Sequence, residues 1–145
     1  MKIQTKSNQQ DFLAVSQAAL NYAFGVATKN WGQISKAYDA PKAQMKLITG
    51  GTGAEKVYVL PIEDVWDKIW SQLPDADVHD VEITHISINE GRVATVEMKN
   101  NNRFYDQLGL YKVNGEWRIY DKLTRLLEGG HIPEEDLQHM FGPQS

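Results

Sequence analysis

Cysteine is missing from all 145 residues of this chain. That excludes disulfide frameworks, thiol nucleophiles and cysteine-based zinc sites. Long apolar runs are missing too, and no segment approaches the ~20 residues that a membrane-spanning helix requires. A basic excess is also lacking, since 15 Lys and Arg stand against 19 Asp and Glu for a net charge of −4. Phosphate-backbone binders usually carry the opposite balance, so nucleic acid is not an expected partner. The opening MKIQTKSNQQDF holds no apolar signal core, and a cytoplasmic protein is expected. Repeats, linkers and low-complexity stretches do not occur. What is present, 41% hydrophobic and 23% charged residues, suits one domain over 1–145, with a core over about 7–127 and a tail from 128.

Apolar spacing predicts a long helix from about Ser7 to Thr28. Phe12, Val15, Ala19, Tyr22, Ala23 and Val26 fall on one face, and Leu13, Leu20, Phe24 and Ala27 on a second, so cover on two sides is expected. Asn30 with Gln33 reads as a capping box opening a short second helix, which Pro41 stops. Strands follow near Gln44–Thr49 and Lys56–Leu60, joined by the turn GGTGAE. That segment lacks the spacing of a phosphate loop and leads into a strand rather than a helix. Pro61 suits the first turn of a third helix carrying Ile62, Val65, Trp66, Ile69, Trp70 and Leu73 on a single stripe.

From His79 the period changes to two. Glu90-Gly91, the Asn100–Asn102 run and Asn114-Gly115 divide four antiparallel strands in meander order. Gly129-Gly130 ends the last strand, and a short helix is expected from Pro133 through Leu137 and Met140. Helices followed by a meander imply an α+β fold, with helices packed on a strongly curved antiparallel sheet and a conical cavity between the layers.

A two-residue turn at Asn114-Gly115 pairs Val113 with Glu116, and counting outward sets Leu110 opposite Ile119, Leu108 opposite Asp121 and Asp106 opposite Leu123. Asp106 and Asp121 then share the inward face as diagonal neighbours, roughly 7–8 Å apart. Two carboxyls in an apolar pocket are raw material for a general base and its electrostatic partner. Structural networks produce the same pattern more often. Tyr22, Trp31, Tyr38, Trp66, Trp70 and Trp117, with Leu108, supply candidate walls for a flat aromatic ligand, although helical-spaced aromatics are more often plain core. Tyr105, Tyr111 and Tyr120 fall on the outer face, a surface suited to a second copy of the chain. His79, His85, His131 and His139 match no metal-ligand spacing, and neither metal nor cofactor is expected.

The stretch FYDQLGLYKVNGEWRIYDKL, Phe104 to Leu123, resembles the closing hairpin of the putative lumazine-binding family, part of the nuclear transport factor 2-like superfamily with the SnoaL-like polyketide cyclases. Phe104, Asp106, Leu108, Leu110, Lys112, Gly115, Trp117, Ile119 and Lys122 fall on the family's pattern. So do Ala19, Leu20, Tyr22 and Gly25 in the first helix. Asn30 stands where the family often has Asp, and Asp121 where it has Asn. The resemblance implies a cystatin-like cone, a pocket between sheet and helices, and commonly a sheet-to-sheet homodimer. It implies no particular reaction. A small-molecule binder, an isomerase, cyclase or dehydratase acting through Asp106, and a dimeric interaction module all stay open.

Overall fold

The computed structural model describes residues 5–74, 80–127 and 132–142. Helix α1 (Thr5–Ala27) and helix α2 (Trp31–Ala37) precede strands β1 (Gln44–Thr49) and β2 (Lys56–Pro61). Helix α3 (Ile62–Lys68) and a 3₁₀ turn (Trp70–Gln72) lead to β3 (Val81–Asn89), β4 (Val93–Asn100), β5 (Phe104–Val113) and β6 (Glu116–Leu126), and α4 (Glu134–Phe141) follows. One six-stranded sheet runs in the order β2-β1-β6-β5-β4-β3. Neighbours are antiparallel except β1 and β6, which run parallel with Gln44 beside Asp121, so the expected antiparallel sheet is a mixed one. The chain is α+β, with its N-terminal helices on the inner face of the sheet.

Each meander turn places consecutive residues at positive φ: Glu90-Gly91 at 51° and 66°, Asn101-Asn102 at 57° and 53°, Asn114-Gly115 at 54° and 79°. Such turns match the right-handed twist of the strands they join. Asn30 caps α2 by accepting from the Gln33 backbone N–H at 3.0 Å. The Gln33 side chain does not close the box; it reaches Asn21 Oδ1 at 3.2 Å and ties α2 to α1. The two helices cross where Gly25 has no side chain, because a Cβ there would sit 2.6 Å from Ile34 Cγ1.

Two helix readings need correction. Val15, Ala18, Ala19, Tyr22 and Ala23 of α1 are buried, but Phe12, Leu13 and Phe24 are exposed, so this chain covers the helix on one side only. Asp11 takes the first inward position instead of Phe12, drawn in by the indole N–H of Trp117 at 3.0 Å. The third helix does not continue through Leu73. Ile69 leaves helical geometry at φ −123°, ψ −70°, and the 3₁₀ turn brings Trp70 into the core, where it is buried.

Candidate functional site

The closing hairpin pairs as expected from Val113–Glu116 to Leu110–Ile119, and then slips. Gly109 faces Asp121, Leu108 faces Lys122 and Asp106 faces Thr124, leaving Tyr120 as the extra residue of a β-bulge. Gly109 makes the bulge possible, since a Cβ there would lie 2.7 Å from the Tyr120 ring. Every residue after the bulge changes face. Asp121 therefore does not join Asp106: it turns outward to an ion pair with Lys46 at 2.6 Å. Lys122 and Thr124 turn inward and are buried.

Two rows of side chains cross the inner face as a result. One runs Tyr58, Leu47, Thr124, Asp106, Met98, and the other Leu60, Met45, Lys122, Leu108, Val96. Asp106 has no exposed surface. Its Oδ2 accepts from Tyr22 Oη at 2.7 Å and Asn100 Nδ2 at 3.4 Å. Its Oδ1 accepts from Thr124 Oγ1 at 2.7 Å and lies 3.4 Å from Lys122 Nζ. Lys122 also donates to Thr124 Oγ1, and its ammonium stands 5.6 Å over the Tyr22 ring. Burial pushes the Lys122 pKa down, an effect the Asp106 carboxylate partly offsets. Burial, followed by the same carboxylate, holds the Tyr22 and Tyr38 hydroxyls well above the usual tyrosine range.

Three of the candidate aromatics close over this cluster. Tyr22 lies edge-on to Tyr38 at 5.7 Å and 5.6 Å from Trp70, with Tyr38 and Trp70 6.4 Å apart. Tyr38 Oη is buried and has no hydrogen-bond partner among the described residues. Leu108 borders Lys122 in the sheet. The other candidates stand elsewhere. Trp31 and Trp66 stack on each other at 5.5 Å, and Trp117 is held by Asp11. Lys122, Thr124 and Asn100 were not among the candidates. The one hint for the first was Gly109, since a glycine inside a strand often marks a bulge.

A cavity of about 320 Å³ opens on the outer side, lined by Ser35, Asp39, Pro41, Tyr111, Val113 and Arg118 among others. Tyr38 borders it as well, so this residue belongs to both the cleft and the aromatic interior. Tyr111 donates to Asp39 and stacks on Tyr120 at 5.1 Å. The Asp39 bond, followed by burial, pushes the Tyr111 pKa up to about 12. That contact therefore contributes stability that is whole below pH 10 and lost as the pH rises towards 12. Among the described residues, no group of three or more His, Asp or Glu could hold a metal ion, and no helix is long and apolar enough to cross a membrane. His85 and His139 are exposed; His79 and His131 lie outside the described residues.

The family model described as putative lumazine-binding matches residues 10–124. This chain belongs to that family. Among solved structures, a nuclear transport factor 2-like protein of unknown function from Shewanella baltica is 19% identical, with TM-score 0.71 over 81% of this chain and 94% of the other. One from Methylobacillus flagellatus, also of unknown function, is 24% identical, with TM-score 0.69 over 87% and 96%. A protein described as a putative scytalone dehydratase, from Novosphingobium aromaticivorans, is 12% identical, with TM-score 0.62 over 86% and 89%. At these identities the structures establish the shared nuclear transport factor 2-like fold, and in this lumazine-binding family member the fold is the cystatin-like one. No curated protein matches the chain.

Proposed function

We propose that the chain is a small-molecule-binding domain for a planar, pteridine-like heterocycle that enters by the outer cleft and is held at Tyr38. The observation that carries this reading is the Tyr38 hydroxyl, buried among rings with no partner among the described residues. Leaving such a group unpaired costs about 1–3 kcal/mol, and a ligand heteroatom would recover it. The outer cleft that Tyr38 borders is of ligand size. Family membership supports the same class of ligand.

The enzyme reading is weaker on geometry. A general base needs a lone pair directed at its substrate, whereas both Asp106 oxygens already serve protein donors. A thermal-shift panel of 6,7-dimethyl-8-ribityllumazine, riboflavin, a steroid and a polyketide separates the cases. The lumazine or the flavin is expected to raise Tm by several degrees, since a ligand at a hundred times its Kd stabilises by about 2.7 kcal/mol. Silence from both, with a shift from the steroid, would contradict the ligand class. Turnover of the hit that Asp106→Asn abolishes would establish the enzyme instead.

The assembly in this reading is a homodimer through the outer sheet face. Tyr120 is exposed there beside Tyr111, and Arg125 lies 4.7 Å over Tyr105. Light scattering at micromolar concentration is expected to give the mass of two chains, and Tyr120→Lys a shift towards one. A monomer mass for the wild type would remove the dimer.

A further inference from the structure

Helix α4 lies beyond the matched residues 10–124, yet it is built into the molecule. Leu137 and Phe141, four residues apart and so on one face, are both buried. The Phe141 ring stands 5.2 Å from that of Tyr58. Glu134 Oε1 accepts from Tyr58 Oη at 3.0 Å and pairs with Lys56 Nζ at 3.2 Å. Glu135, Asp136, Gln138 and His139 face solvent. The helix thus offers strand β2 an aromatic ring and one carboxylate, and both bear on Tyr58. Eight residues are too few to hold a helix in water unaided, so these contacts decide whether it stays.

We propose that α4 is a built-in occupant of an amphipathic-carboxylate site, and that a small aryl- or alkyl-carboxylate displaces it. The site's apolar floor is the Tyr58 ring on edge strand β2. Its anion-receiving groups are Tyr58 Oη and Lys56 Nζ. Tyr58 also heads the inner row that passes Leu47 and Thr124 to Asp106, three strand spacings or about 14 Å away. Displacing α4 would uncover the near end of that row. This inference does not rest on the heterocycle reading.

The test uses the full chain and hydrogen exchange followed by mass spectrometry, with sodium 4-phenylbutyrate as probe and 4-phenylbutanol as its neutral counterpart. Saturating 4-phenylbutyrate is expected to speed exchange in 135–142 at least tenfold while amides of β5 and β6 keep their protection. Glu134→Gln, which weakens the internal carboxylate's hold, is expected to lower the half-effect concentration several-fold. Lys56→Met with Tyr58→Phe removes the anchor of α4 together with that of the probe, so exchange in 135–142 is expected to be fast without 4-phenylbutyrate and to gain nothing from it, with β5–β6 protection reporting that the variant is folded. Exchange in α4 unmoved by 4-phenylbutyrate would overturn the proposal, as would an equal response to 4-phenylbutanol. No heterocycle enters this readout, so its failure and that of the pteridine reading are distinguishable.

Discussion

Asp106→Ala is expected to cost about 3–5 kcal/mol of folding stability, because it strands the buried Lys122 ammonium without its counter-charge. Tyr22, Asn100 and Thr124 lose their common acceptor in the same step. For a domain of this size, Tm should fall by on the order of 10 °C. The double variant Asp106→Leu with Lys122→Met should recover most of the loss, since removing both partners of a buried pair is often near neutral. The pH dependence follows from the direction of the Lys122 shift. With its pKa lowered by burial, folding carries the full penalty of a charged Lys122 below the folded value, and that penalty fades as pH rises to the ordinary 10.5. Tyr22 and Tyr38, raised by burial, act oppositely: their proton-bound forms favour the fold up to pH 10, and stability is lost above it. Urea unfolding of the single and double variants checks this. A loss under about 1 kcal/mol for Asp106→Ala would contradict the assignment of the pair.

Trp117→Ala is the second large effect, again about 3–5 kcal/mol, from a cavity in the core beneath the start of α1. Trp117→Phe isolates the polar part. It keeps a ring but leaves Asp11 without its indole donor, for a cost of about 1–3 kcal/mol. The indole bond is the largest cause of the lowered Asp11 pKa, ahead of burial, which opposes it, and Lys112, which helps. The Asp11 contribution is therefore present above the usual 3.8 and lost as pH falls through the lower folded value. Wild type and Trp117→Phe should differ less in acid than at neutral pH, as paired denaturation curves would show.

Much of the fold was legible because local chemistry and global packing agree. Asn30 announces the start of α2, and Asn114-Gly115 with alternating apolar residues on both sides announces the last hairpin. The site was legible only in part, because face assignments beyond a bulge depend on a single residue. Tyr120 fits either a regular strand or a bulge, and the choice rests on whether its ring can lie over Gly109, a tertiary fact. From that one step follow the outward turn of Asp121 and the inward turn of Lys122 and Thr124. The exit from helix at Ile69 has the same character. Helical spacing from Ile62 to Leu73 is regular, and the exit goes with a tertiary contact, the packing of Trp70 beside the touching rings of Tyr22 and Tyr38. The missing partner of Tyr38 has no sequence signature at all.

Tyr38→Phe tests the central claim most directly, because stability and binding should move in opposite directions. Removing an unpaired buried hydroxyl should raise folding stability by up to about 1–3 kcal/mol. Calorimetric titration with 6,7-dimethyl-8-ribityllumazine should then show an affinity about tenfold lower than that of the wild type, the value of one lost hydrogen bond. An unchanged affinity together with a drop in stability would mean that the Tyr38 hydroxyl serves the fold, and the ligand reading of this site would be wrong.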